Sequence, residues 1–149
     1  MRNDHIMLSI KPNFVSQIFT GQKTVELRRI RPKKISADTI ILVYTSSPIK
    51  TLSGAFSIKK IIEIPVDELW EKVKDKSGIK IDEYTKYFEG ATHGIGIFID
   101  KIFPLPNPVK LAEMRQLLTQ FSPPQSFRYV STNEFNLLLN QLKRHSIFN

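Results

Sequence analysis

The chain has 149 residues, no cysteine and a formal net charge of +8 at pH 7, with an isoelectric point near 9.8. The missing cysteines exclude thiol catalysis, cysteine-ligated zinc and a disulfide framework, and one domain of this length can bury enough core to fold without them. The positive balance points to a polyanionic partner, nucleic acid before membrane, and no apolar run is long enough to span a bilayer.

The N-terminal MRNDHIMLSI lacks the apolar stretch of a signal peptide, so a cytoplasmic protein is expected. MLSIK (7–11) reads as a short strand and NFVSQIFTG as a helix. Asn13 is its candidate cap, Phe14/Ile18 and Val15/Phe19 are i,i+4 pairs, and Gly21 suits a left-handed stop. TVELRRI alternates as a strand does. The continuous apolar run TIILVY (39–44) predicts a buried central strand, ended by the turn residues TSSP. LSGAFSIKKIIEI (52–64) predicts a long strand whose alternation slips at Lys59–Lys60, as a bulge would cause.

Two short helices follow. Asp67 opens ELWEKVKDK, with acids first and lysines last, as the helix dipole prefers. Asp82 opens EYTKYFEG, with Gly90 to close it. Its Tyr84, Tyr87 and Phe88, with Trp70 before them, have helical spacing and read as core. HGIGIFIDKIFPL (93–105) predicts another strand and KLAEMRQLL (110–118) a helix. SPPQSFRYV (122–130) predicts a loop or edge segment, because paired prolines cannot sit in a central strand. The last helix, within 131–145, has capping-box spacing at Ser131 and Glu134 and an apolar stripe of Phe135, Leu138, Leu139 and Leu142. Strands interrupted by helix pairs argue for an α+β domain spanning 1–149, with a small curved sheet or barrel and peripheral helices.

The chemistry concentrates in GQKTVELRR (21–29). Alternation puts Val25 and Leu27 on one face and Thr24, Glu26 and Arg28 on the other, about 7 Å apart along the strand. Lys23, just after the helix stop, can reach over the polar face. From Lys23 to Lys34 there are six basic residues (Lys23, Arg28, Arg29, Arg31, Lys33, Lys34) and one acid, Glu26. A carboxylate between a lysine and an arginine can fix both cations for a phosphate or a base edge. It can also join the lysine in proton transfer, or form a structural ion pair and no more. Gly54, inside a strand, implies close approach or a bend. Ser46 in YTSSP, and Gln125, Ser126 and Arg128 in PPQSFRY, are candidates to face the same cleft, with Phe127 and Tyr129 packing behind. His5, His93 and His145 lack metal-ligand spacing, so neither metal nor cofactor is expected.

The pattern Gly-x-Lys-x-x-Glu-x-Arg, as Gly21, Lys23, Glu26 and Arg28, resembles the signature of the ASCH (activating signal cointegrator homology) domain, within the PUA-like superfamily. LSIKPNFVSQIFTG resembles the family's first strand and helix, and ILVYTSSPIKTLSGAFSI its central strands. PPQSFRY is similar to a segment of a prokaryotic subgroup described as predicted transcriptional regulators. The resemblance covers about residues 7–130, with 131–145 left as a packing helix. No separate helix-turn-helix domain of the kind attached in that subgroup is visible.

The resemblance implies a small, mostly antiparallel PUA-like β-barrel with peripheral helices, and a cleft for RNA or modified nucleotides around the Lys-Glu-Arg group. The expected nucleic-acid-binding residues are Lys11, Lys23, Glu26, Arg28, Arg29, Arg31, Ser46, Gln125, Ser126 and Arg128, with Lys33 and Lys34 on the backbone. The function this implies is RNA binding, in RNA processing or transcription regulation. One alternative is an enzyme on RNA or a modified nucleoside, with Lys23 and Glu26 catalytic, either a ribonuclease or an N4-acetylcytidine amidohydrolase. The amidohydrolase branch carries a threonine three residues after the motif lysine, where this chain has Glu26. Another alternative is a protein-interaction module of transcription control.

Overall fold

A computed structural model describes residues 5–147. The element order is β1 (His5–Ile10), α1 (Pro12–Phe19), β2 (Val25–Arg28), β3 (Ile40–Thr45), β4 (Thr51–Pro65), α2 (Val66–Val73), α3 (Ile81–Tyr87), β5 (His93–Lys110), α4 (Leu111–Leu117), β6 (Phe127–Val130) and α5 (Thr132–Ile147). The strands form one sheet in the order β2-β5-β4-β3-β1-β6. β1 and β3 pair in parallel and the other neighbours are antiparallel. The chain is therefore α+β with a mostly antiparallel sheet, as expected. The barrel is not: β2 and β6 remain open edges, and no backbone ladder joins them.

Each face of the sheet is buried by what the alternation supplies. Ile6 and Leu8 of β1, Ile41 and Val43 of β3, and Phe56 and Ile58 of β4 pack with Val15 and Ile18 of α1. Met7, Leu42, Tyr44 and Leu52 point the other way, onto Met114, Leu118 and Leu138. The run at 40–45 is thus covered on both faces, and each fully buried aliphatic side chain there contributes about 1.5–3 kcal/mol. A third cluster joins Val25 and Leu27 of β2 to Leu69 and Val73 of α2 and to Tyr84 and Phe88.

Local details follow the residues. The β4–β5 register shifts between Phe56 and Ile58 and between Ile58 and Lys60, where the alternation of the sequence slips. At Gly54 an added Cβ would sit 2.6 Å from the Phe19 ring and from the Phe103 carbonyl oxygen, so the glycine lets α1 press onto the sheet. Ser131 and Glu134 close a reciprocal capping box. Phe135 and Leu138 pack on the second core, whereas the side chains of Leu139, Leu142 and His145, like residues 1–4, lie outside those described.

Two expectations of detail change. Asn13 does not cap α1: the helix starts at Pro12 after Lys11, with no side-chain cap, because proline fits the first helical position and needs no N–H there. β5 runs on to Lys110 rather than ending at 105. Its ladder lapses between Pro104, opposite Gly54, and Val109, opposite Leu52, over a stretch where Pro104, Pro106 and Pro108 have no N–H to donate. The segment 127–130 is an edge strand on β1, the edge alternative of the sequence reading. No helix among the described residues is long and apolar enough to cross a membrane.

Candidate nucleic-acid interface

The site is assembled around the start of β2. Gly21, with φ +84°, ends α1, and the Lys23 N–H returns to the Gln17 carbonyl at 3.0 Å. Thr24 N–H donates to the Lys76 carbonyl at 2.8 Å, so the loop after α2 fixes the entry of the strand. Val25 and Leu27 then enter the third core, which leaves Glu26 and Arg28 on the opposite face. The alternation in the sequence is realised as read.

Glu26 binds two cations. Its Oε2 accepts from Arg28 Nη2 at 2.8 Å and Nε at 3.1 Å, and its Oε1 lies 3.5 Å from Lys23 Nζ. The side chains of Lys23, Glu26 and Arg28 are only 2%, 7% and 11% exposed, so this is a buried group rather than a surface ion pair. Two cations on one carboxylate leave a net positive floor. Lys23 Nζ also donates to the Ser77 carbonyl and stands 4.8 Å over the Phe14 ring. Burial lowers the Lys23 pKa below the usual lysine value, outweighing the pull of Glu26, with Arg28 adding to the depression.

Arg28 reaches across the open edge of the sheet. Nη2 donates to the Ser9 carbonyl at 3.0 Å, at the end of β1. Nη1 lies 3.4 Å from both the carbonyl oxygen and Oγ of Ser126, just ahead of β6. A side chain of one edge strand thus ties to the opposite margin, where no ladder closes the sheet.

Over this floor lies a cleft of about 830 Å³. Lys11, Ser46, Gln125 and Ser126 line it from the β1–β6 side, and Arg29 from the end of β2. On the α3 side stand Ile79, Glu83, Lys86 and Tyr87. Eight of the ten candidate residues from the sequence therefore converge: Lys11, Lys23, Glu26, Arg28, Arg29, Ser46, Gln125 and Ser126. Arg29 is partly engaged, with Nη1 donating to the Tyr87 and Glu89 carbonyls at 2.9 and 2.8 Å.

Two candidates do not join them. Arg31 is exposed and away from the cleft. Arg128 turns to the opposite face of the sheet, where it pairs with Glu134 at 2.8 Å and lies 5.1 Å over the Phe121 ring. Ser126 precedes the strand, and Arg128 inside it is held by α5. Phe127 and Tyr129 pack edge to face, 5.6 Å apart, and Lys34 stands over Tyr129 at 5.2 Å. Phe14 and Tyr87 were not legible as cleft residues. Tyr84 and Phe88, both 2% exposed, are core, but Tyr87 is 39% exposed and faces the cleft.

The fold and site define a small, basic α+β domain with a cation-floored cleft. The chain belongs to the ASCH domain family, whose sequence profile matches residues 8–103. It is similar to an ASCH domain-containing ribonuclease of Zymomonas mobilis, 27% identical over 134 residues, which are 90% of this chain and 89% of that one. The crystal structure of an ASCH protein from Zymomonas mobilis superposes with a TM-score of 0.86 at 26% identity, covering 91% of this chain and 94% of the other. A large ribosomal subunit protein of Ureaplasma parvum is 27% identical over 126 residues, 84% of this chain and 39% of its own.

Proposed function

We propose that the protein binds an RNA strand in this cleft and cleaves it there. The observation that carries the reading is the Lys23–Glu26–Arg28 group, a buried floor with excess positive charge beneath an open cleft in a strongly basic chain. The name of the similar Zymomonas mobilis ribonuclease supports the choice of RNA and of strand cleavage.

The chemistry asks little beyond these groups. A ribose 2′-oxygen attacks the adjacent phosphorus, the bond to the 5′-oxygen breaks, and a 2′,3′-cyclic phosphate and a 5′-hydroxyl result. The 2′-hydroxyl proton needs an acceptor and the leaving oxygen a donor. Lys23, with its lowered pKa, and Glu26 are the candidate pair for these transfers. Arg28 is the candidate for the charge that grows on the phosphate oxygens, because its two long contacts to Ser126 can be exchanged for a phosphate. Lys11, Ser46, Gln125 and Ser126 would hold the flanking strand, and Arg29 its backbone. Such a protein would work in the cytoplasm, in RNA processing or transcription control.

One observation favours binding without cleavage. Lys23 already serves the Ser77 carbonyl, Glu26 and the Phe14 ring, as a purely positioning residue would. The experiment that separates the readings is incubation with a single-stranded RNA across a salt series, followed by a denaturing gel, beside Lys23→Met. Cleavage lost in the variant with binding kept supports the nuclease. Salt-dependent binding that leaves the RNA intact supports the binding module. Absence of binding at low salt would overturn both.

A further inference from the structure

We propose that Tyr87 is the platform on which a base of the bound RNA stacks. The inference rests on the RNA reading above and adds a recognition residue on α3, an element that the Lys-Glu-Arg motif does not include.

Two contacts fix the ring without covering it, and a third holds its backbone. The Tyr87 hydroxyl donates to the Leu27 carbonyl at 3.3 Å. Its ring meets Phe88 edge to face, with centroids 4.8 Å apart and planes at 78°. Its backbone carbonyl accepts from Arg29 at 2.9 Å. Despite these ties the residue stays 39% exposed, on the wall of the cleft. An aromatic side chain anchored at both ends loses little freedom when a ligand covers it. The other aromatic of the cleft, Phe14, has the Lys23 ammonium over its ring at 4.8 Å.

The surroundings fit a nucleotide. Glu83 and Lys86, four and one residues before Tyr87, line the same cleft, so an acceptor and a donor flank the ring for base-edge groups. The cleft, at about 830 Å³, lies within the range of roughly 300–1,000 Å³ that encloses a small organic ligand. Arg28 and Tyr87 line the same cleft, so the base and phosphate positions adjoin. Stacking needs an unpaired base, because the π face must be free.

The test uses the full chain and a short single-stranded RNA containing 2-aminopurine, with a second RNA carrying one abasic residue at that position. Binding to the wild type should quench the aminopurine. Tyr87→Leu, which keeps bulk and removes the π face, should abolish the quench and weaken binding by roughly five- to a hundred-fold. Tyr87→Phe should keep most of both. On the abasic RNA the wild type and Tyr87→Leu should bind alike. A Tyr87→Leu protein that melts as the wild type does and binds with the quench intact would overturn the inference while leaving the RNA reading in place. Should Tyr87→Leu fail to fold, an equal wild-type affinity for the aminopurine and abasic RNAs would overturn it, and a five-fold or larger gap would support it. Failure of the wild type to bind either RNA would overturn both.

Discussion

Arg28 Nη1 lies 3.4 Å from both Oγ and the carbonyl oxygen of Ser126, a residue 98 positions further along the chain. The same guanidinium is gripped on its other side by Glu26 Oε2. The motif arginine therefore does two jobs at once: it clasps the open margins of the sheet and it floors the cleft. A phosphate that displaces the Ser126 contacts would leave the Glu26 grip intact.

Arg28→Ala should lower affinity for single-stranded RNA about ten- to a hundred-fold at low salt, the effect expected for hydrogen bonds to a charged group. The slope of log affinity against log salt should shrink by about 0.7, as for one lost phosphate contact on a single strand. Titrations at several salt concentrations check it, and an unchanged slope would remove Arg28 from the phosphate site.

Glu26→Ala would leave Lys23 and Arg28 facing each other in a buried space. A loss of about 3–5 kcal/mol is expected from breaking a buried ionic group on one side. Urea unfolding with an unchanged m value measures it. A loss below about 1 kcal/mol would mean that the group is solvated rather than buried.

The lowered pKa of Lys23 gives a signed pH dependence. Below its lowered folded value Lys23 is charged in the folded and unfolded chains alike, and the cost of burying the charge is fully felt. Between the lowered folded value and the ordinary 10.5 the unfolded chain holds more protons, so stability contributed by this residue rises with pH. Tyr84, pushed up to about 12 by burial, acts with the opposite sign, but only above about pH 10. The wild type should therefore gain stability relative to Lys23→Met as pH rises from 7.5 toward 10. Urea midpoints of the two proteins across that range test this; parallel curves would contradict it.

Arg128→Ala is the contrasting case. Its pair with Glu134 is about a quarter exposed on each side, so a loss of roughly 0.5–1 kcal/mol is expected. RNA affinity should stay within about two-fold, since Arg128 faces away from the cleft. A ten-fold loss in the binding titration would return Arg128 to the interface.

Gly54→Ala should cost about 1–3 kcal/mol, because a methyl group there meets the Phe103 carbonyl oxygen and the Phe19 ring at 2.6 Å. A shift of the urea midpoint reads it. If stability is unchanged, α1 can move off the sheet freely.

What was legible in the sequence had a local cause. Two-residue alternation placed Val25 and Leu27 in the core and Glu26 and Arg28 in the cleft, and the slip at Lys59–Lys60 marked a real register shift. What was not legible depended on partners far along the chain. Nothing near Arg28 says that it reaches Ser126, and nothing near Arg128 says that Glu134 and Phe121 hold it on the other face. Tyr87 shares helical spacing with Tyr84 and Phe88, yet it sits about 100° around the helix from Phe88. The packing of Tyr84 and Phe88 against α2 and β2 leaves Tyr87 as the exposed one of the three. The element order allowed a curved sheet or a barrel and the resemblance implied the barrel, whereas the margins are joined through a side chain.

The prolines of β5 have a consequence for how the molecule behaves in a crowd. A half-exposed Phe103 beside an irregular strand would otherwise invite a second copy to add its own strand there. Pro104, Pro106 and Pro108 take three donors out of this stretch, where the ladder with β4 lapses, so it does not offer the regular edge that an incoming strand needs. That stretch is a poor template for self-association, which helps a cationic protein to stay dispersed when a polyanion gathers many copies together.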